Sequence, residues 1–188
     1  MKKFALLVFM CPSIVVADKP AEKLNSEFLE LGIYGGLLNV QDFATELMLG
    51  IRATFHASED FFLQFNGGFA NVGESVFEES QGSLFEGSDR DYGYYNFLVG
   101  YNLLQGEAFP SGTQAKWTNL YLVGGVGNTE FGGEEAFTVT IGLGYRINVS
   151  RHFVLSFDLR DHSYKSNLIS EDDRVHNVEL STGLSWLF

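Results

Sequence analysis

The sequence contains no run of about 18 apolar residues, the length that a transmembrane helix needs, so a helical membrane protein is excluded. Its one cysteine, Cys11, lies in a segment that we expect to be removed on export, which excludes a disulfide framework and thiol chemistry. Proline is scarce, with 3 residues, whereas glycine (21) and phenylalanine (18) are abundant. This balance is typical of curved β-strands that face lipid.

Basic residues are also scarce. Lys and Arg together number 12, against 24 Asp and Glu, which gives a net charge of -12. Removal of the N-terminal segment that contains Lys2 and Lys3 would change the net charge from -12 to -14. Neutralising nucleic-acid phosphates requires Lys and Arg, so the composition argues against nucleic-acid binding.

Residues 1–17 have the pattern of a signal peptide. Lys2 and Lys3 form a positive region, and a short apolar core follows. The core is too short to span a membrane. Lipid attachment at Cys11 is the alternative, and it is disfavoured because bulky residues precede the cysteine. We therefore expect one mature domain, residues 18–188.

Beyond residue 27, apolar and polar residues alternate with period 2 in eight segments, and this pattern predicts β-strands. Leu47, Leu49 and Ile51, for example, alternate with Met48 and Gly50. The predicted strands cover about 28–38, 46–56, 61–70, 92–103, 117–128, 137–147, 153–161 and 177–188. The faces of the fifth strand remain ambiguous.

Charged residues decide which face of these strands meets lipid. Arg52, Arg146, Asp158, Arg160 and Glu179 all lie opposite the large apolar residues. An Arg in mid-bilayer costs about 2–4 kcal/mol, so the Leu and Phe face should be the lipid face. A soluble lipocalin-like barrel would have the opposite arrangement. The sequence thus predicts an all-β fold, an eight-stranded antiparallel up-and-down transmembrane β-barrel.

The last predicted strand ends in aromatic residues. Trp186 and Phe188 lie on its apolar face, where an aromatic side chain suits the water–lipid interface. A terminal Phe on such a strand is similar to the assembly signal of bacterial outer-membrane proteins. We therefore expect a Gram-negative outer-membrane location, with the barrel-assembly machinery, outer-membrane lipid and lipopolysaccharide as partners.

Three longer polar segments interrupt the alternation. Residues 73–91 contain six acidic residues and match no calcium-loop motif, so we interpret them as a solvated extracellular loop and a possible surface for a partner. Residues 105–116 and 162–174 are predicted connections. Residues 131–135 predict a Gly-Gly turn.

The C-terminal third resembles a family of bacterial outer-membrane β-barrel domain proteins of unassigned activity, similar to small OmpA-like and OmpX-like barrels. The residues that carry the resemblance are Gly142-Leu143-Gly144-Tyr145-Arg146, Val154 to His162 and Asn177 to Phe188, with Leu120 to Gly127 also similar. The resemblance implies an outer-membrane barrel and supplies no catalytic residues.

Charged and histidine residues at inward positions form the main candidate site. They are Glu30, Glu46, Arg52, His56, Arg146, Asp158, Arg160, His162 and Glu179. An eight-stranded barrel is just wide enough for its own side chains, so these groups should pair and plug the interior. A narrow polar pore is the alternative.

A second candidate, Asp161-His162-Ser163, has the residue types of a lipid A-modifying deacylase or acyltransferase. Adjacent strand residues point to opposite faces, which separates His162 from Ser163. We therefore predict no catalytic residues, metal or cofactor, and a structural or surface-interaction role. A lipid A-modifying enzyme and a pore remain alternatives.

Overall fold

The chain forms a closed barrel of eight antiparallel strands in the part that the structure describes. The computed structural model describes residues 28–41, 45–72, 91–109, 115–166 and 173–188. Each strand pairs with the next along the chain, and β1 pairs with β8 to close the barrel. The strands are β1 (Leu29–Asn39), β2 (Thr45–His56), β3 (Phe61–Asn71), β4 (Asp91–Ala108), β5 (Lys116–Phe131), β6 (Glu134–Asn148), β7 (Phe153–Ser166) and β8 (Asp173–Leu187). The predicted fold class is confirmed, whereas the predicted signal peptide lies outside the described residues.

The barrel has two distinct ends. We call the end where β1 begins and β8 finishes the terminal end, and the opposite one the loop end. A two-residue turn at the loop end, Gly132-Gly133, joins β5 to β6 with φ angles of 64° and 75°. Both angles lie in the left-handed region, which glycine enters without steric cost, and this explains the Gly-Gly pair.

Strands extend into two of the predicted connections. Residues 105–108 continue β4 and Lys116 begins β5, with a register shift between Asn102 and Leu104. The bulge reverses which residues face outward, so the alternation that marked the strand in the sequence is lost there. The predicted 162–174 loop is shorter too, because β7 and β8 pair as far as Ser166 and Asp173. The acidic 73–91 segment lies outside the described residues, apart from Asp91.

The outer surface is an apolar band. Large apolar residues remain exposed across the middle of the strands, including Leu47 (77%), Leu49 (73%) and Ile51 (64%). Arg52, the arginine on the same strand, is buried inside. Such an exterior is stable against acyl chains rather than water. No helix in the described part of the chain is apolar and long enough to cross a membrane.

Aromatic side chains are concentrated around the outside of the terminal end. Trp186 packs against Phe153 with ring centroids 4.7 Å apart and against Phe188 at 6.4 Å. Phe61 contacts Tyr101 at 5.0 Å. An aromatic girdle of this kind marks a membrane–water interface. Trp186 and Phe188 lie within it, which is compatible with the predicted assembly signal.

We expect Ile51→Arg to lower the free energy of unfolding in lipid vesicles by about 2–4 kcal/mol, because position 51 lies midway along β2 in the apolar band. Thr45→Arg, at the loop end of the same strand, should cost no more than about 1 kcal/mol. Urea titration of the refolded protein in vesicles measures both values. Equal costs at the two positions would contradict a membrane-spanning band.

Candidate functional site

The barrel interior holds seven of the nine residues that the sequence singles out. Each of the seven side chains is almost fully buried: Glu30, Arg52, Arg146, Asp158, Arg160, His162 and Glu179. His56 is half-buried at the terminal end. Glu46 is half-buried near the loop end, opposite Leu38 in the ladder. The interior residues fall into three groups along the barrel axis.

The central group is built around Asp158. Arg52 Nη2 donates to Asp158 Oδ2 at 2.7 Å, and Arg160 Nη2 donates to Asp158 Oδ1 at 3.2 Å. The Tyr121 hydroxyl also donates to Oδ1, at 2.6 Å. One carboxylate thus compensates two buried guanidinium groups. Arg160 reaches a second acceptor, Gln64 Oε1, at 3.0 Å.

The group toward the loop end is built around Glu179. His162 Nε2 lies 3.2 Å from Glu179 Oε2, and the Ser181 hydroxyl donates to Oε1 at 2.6 Å. The Tyr94 hydroxyl donates to the same carboxylate. Thr140 Oγ1 lies 3.0 Å from His162 Nδ1. A neutral imidazole satisfies these contacts, with Nε2–H donating to Glu179 and Nδ1 accepting from Thr140.

The third group lies at the terminal end. Glu30 Oε2 is 3.2 Å from His56 Nε2 and 3.8 Å from Arg146 Nε. The Arg146 guanidinium lies over two rings, 5.0 Å from the centroid of Phe62 and 4.9 Å from that of Tyr121. Among the buried residues, the three carboxylates of Glu30, Asp158 and Glu179 balance the three arginines. This balance avoids the large cost of an uncompensated charge in a low-dielectric interior.

Aromatic rings fill the space between these groups, and most of them were missed by sequence reasoning. Each ring lies on a glycine directly across the ladder, where a Cβ atom would come within 2.6 Å of the ring. The four pairs are Tyr34 with Gly50, Phe62 with Gly100, Tyr94 with Gly68 and Tyr121 with Gly144. Alternation alone would have placed Phe62 inward, because its neighbours Phe61 and Leu63 face outward.

An apolar cluster covers the interior at the loop end. Leu38, Met48, Tyr92 and Phe131 are buried there, and the Tyr92 and Phe131 rings lie 5.8 Å apart. Asn177 Nδ2 donates to the Tyr92 hydroxyl at 3.2 Å. The seven buried site residues and the four rings that lie on glycines are at most 5% exposed, whereas a water-filled lumen would leave them wet.

Comparison with solved structures finds the same fold. The outer membrane protein AlkL, determined in lipid bilayers, is 16% identical, with 93% of this chain and 97% of that chain covered and a TM-score of 0.54. A de novo designed transmembrane β-barrel is 12% identical, with 87% and 98% covered and a TM-score of 0.50. This chain has the fold of an outer-membrane β-barrel.

Neisserial surface protein A is a weaker match, at 14% identity, 85% and 97% coverage and a TM-score of 0.48. No protein-family model and no curated protein matches the chain. The matches to AlkL and to the designed barrel support the barrel fold alone, and identities this low assign no activity to the chain.

The predicted Asp161-His162-Ser163 group is divided by the barrel wall. His162 is buried inside against Glu179, whereas Asp161 and Ser163 lie on the outer face. The three adjacent residues therefore cannot act together. No cluster of metal-ligating side chains is present among the described residues.

We expect Asp158→Asn to lower the free energy of unfolding by about 3–5 kcal/mol, because it leaves Arg52 and Arg160 without their shared counter-charge. Asp60→Asn, in an exposed turn, should change stability by less than about 0.5 kcal/mol. Urea unfolding in vesicles measures both. A cost below about 1 kcal/mol at Asp158 would contradict the proposed charge compensation.

Proposed function

We propose that this protein is a non-conducting barrel of a bacterial outer membrane whose role is structural or lies in the interactions of its surface loops. The observation that supports this best is the interior itself. Three carboxylates and three guanidiniums are buried there, packed between aromatic rings. Asp158 contacts Arg52 and Arg160, Glu30 lies near Arg146, and Glu179 contacts His162. A conducting pore would need a hydrated path along the same axis.

The paired charges also argue against gating by a small rearrangement. Opening a path through the centre would separate Arg52 from Asp158, which are 2.7 Å apart with side chains at most 2% exposed. Breaking a buried pair costs several kcal/mol. The side chains that fill the interior are carried by the strands of the barrel wall, so they do not form a separate plug domain.

With the lumen closed, the parts of the protein available to other molecules are the outer surface and the connections. The acidic segment 73–91 is the longest connection at the loop end and carries Glu74, Glu78, Glu79, Glu86, Asp89 and Asp91 against Arg90. A partner for this segment would carry positive charge. Lipopolysaccharide and phospholipid would contact the apolar band.

In planar lipid bilayers we expect no steady open-channel current from the refolded protein, because the charged residues that the structure describes inside the barrel are buried against one another and against aromatic rings. A general porin reconstituted in the same bilayers gives the positive control. Heat-modifiable migration on a gel confirms that the inserted sample is folded. A stable, reproducible conductance would overturn the proposal of a plugged barrel.

We expect an epitope inserted after Ser80 to bind antibody on intact Gram-negative cells, because the loop end should face the medium. The same epitope inserted after Gly112, in the connection at the terminal end, should bind antibody only after permeabilisation. Flow cytometry measures both. The reverse pattern would contradict a surface role for residues 73–91.

A further inference from the structure

A polar trio lies on the outer face of β7 and β8, on the lipid side of the wall. Ser163 on β7 is directly opposite His176 on β8, and Asp161 is two residues before Ser163 on the same face. Side chains directly opposite in a ladder have Cβ atoms about 5 Å apart, and diagonal neighbours remain within reach. The register therefore brings together an acid, an imidazole and a hydroxyl from residues that are separate in the sequence.

Asp161 and His176 are in direct contact. His176 Nδ1 lies 2.8 Å from Asp161 Oδ2, and the two side chains are 53% and 29% exposed for histidine and aspartate, respectively. A carboxylate that accepts from Nδ1–H fixes the tautomer in which Nε2 is the basic nitrogen. The His176 backbone N–H also donates to Gln41 Oε1 at 2.8 Å, which holds this part of β8 in place.

The Ser163 hydroxyl has no hydrogen-bond partner within the described part of the chain, although it is shielded from solvent. A buried hydroxyl without a hydrogen-bond partner is uncommon in folded proteins and needs an explanation. A serine on a strand can adopt more than one χ1 rotamer, and the ladder register places Ser163 directly opposite His176. Catalytic hydrogen bonds are often loose before substrate binds.

The trio lies where the outer surface changes from apolar to polar. On β7 the outward residues are apolar up to Leu159 and polar from Asp161, and on β8 the change falls between Val178 and His176. A boundary of this kind marks the membrane–water interface, the depth of lipid headgroups and ester linkages.

Next to Ser163 there is a groove of about 500 Å³. Phe137 and Val139 give it an apolar wall, Lys165 and Arg174 line its polar side, and Glu134 and Glu135 also contribute. The apolar wall suits an acyl chain, whereas the two acidic side chains offset the two basic ones on the polar side. The groove thus matches the acyl part of a lipid.

We propose that Ser163, His176 and Asp161 form an esterase site that hydrolyses an acyl ester of a membrane lipid. His176 Nε2 removes the Ser163 proton as Oγ attacks the ester carbonyl carbon, and Asp161 stabilises the imidazolium. The ester C–O bond then breaks, and His176 returns the proton to the leaving alcohol. Water, activated by His176, cleaves the acyl-serine to release a fatty acid and restore the hydroxyl.

An exposed ion pair at the membrane surface is the alternative explanation of the Asp161–His176 contact. Such a pair contributes little to stability and requires neither a neighbouring serine nor a groove. The esterase proposal goes beyond the plugged-barrel function. It depends only on the outer face, so it fails or succeeds independently of the interior.

The test uses the full-length mature protein, refolded and checked by heat-modifiable migration. It is treated with a fluorescent fluorophosphonate, which labels activated serines. It is also mixed with phosphatidylglycerol vesicles or, in a second arm, with lipopolysaccharide, and the released fatty acid is quantified. We expect labelling at Ser163, located by peptide mass spectrometry, and release from at least one lipid; the two arms distinguish the source.

Ser163→Ala should abolish labelling and reduce release to the protein-free background. His176→Gln and Asp161→Asn should each reduce release at least about 100-fold. Thr45→Ala and His152→Gln, a hydroxyl and an imidazole elsewhere on the barrel, should leave both readouts unchanged. Absence of labelling and release in the wild type, or release that persists in Ser163→Ala, would overturn the proposal. Should Ser163→Ala fail to fold, the site of labelling in the wild type decides the question.

Discussion

Hydrocarbon offers no hydrogen-bond partner to a peptide group, and this constraint underlies the whole structure. Each unsatisfied N–H or C=O in lipid costs several kcal/mol, so strands can span a membrane only when the sheet has no edge. Here the β1–β8 ladder removes the last two edges of the sheet. It begins at the pair Glu30–Leu187 and ends at the pair Asn39–Val178. Closure of the barrel is therefore what allows the exterior to remain apolar and exposed.

Closure also determines what the interior must contain. Eight strands enclose a space that is filled by side chains, and the polar residues that alternate with Leu and Phe have to be accommodated in it. The charges are accommodated by mutual pairing around Asp158, Glu179 and Glu30. The remaining volume is filled by rings that lie on glycines across the ladder, as Phe62 does on Gly100. Under the proposed function, binding and chemistry fall to the outer face and the loops.

Prediction from the sequence succeeded where the alternation was regular and local. It located the eight strands and placed Arg52 inside and Leu49 outside. It failed where a long-range contact overrode the local pattern. The bulge between Asn102 and Leu104 interrupts the alternation, so the last residues of β4 were not recognised as strand. Pairing with β8 extends β7 beyond His162. It also overlooked Tyr94, which is buried against Glu179, because aromatic residues were expected mainly on the lipid face.

The sequence by itself determined which side chains meet lipid, because a strand sends successive residues to opposite faces and one face here carries most of the large apolar groups. Only the tertiary structure decided which residues become neighbours, because ladder register joins positions far apart in the chain. Arg52 contacts Asp158 across the interior, although the two residues are 106 positions apart in sequence. His176 reaches Asp161 on the outer wall, whereas His162, next to Asp161 in sequence, faces the interior.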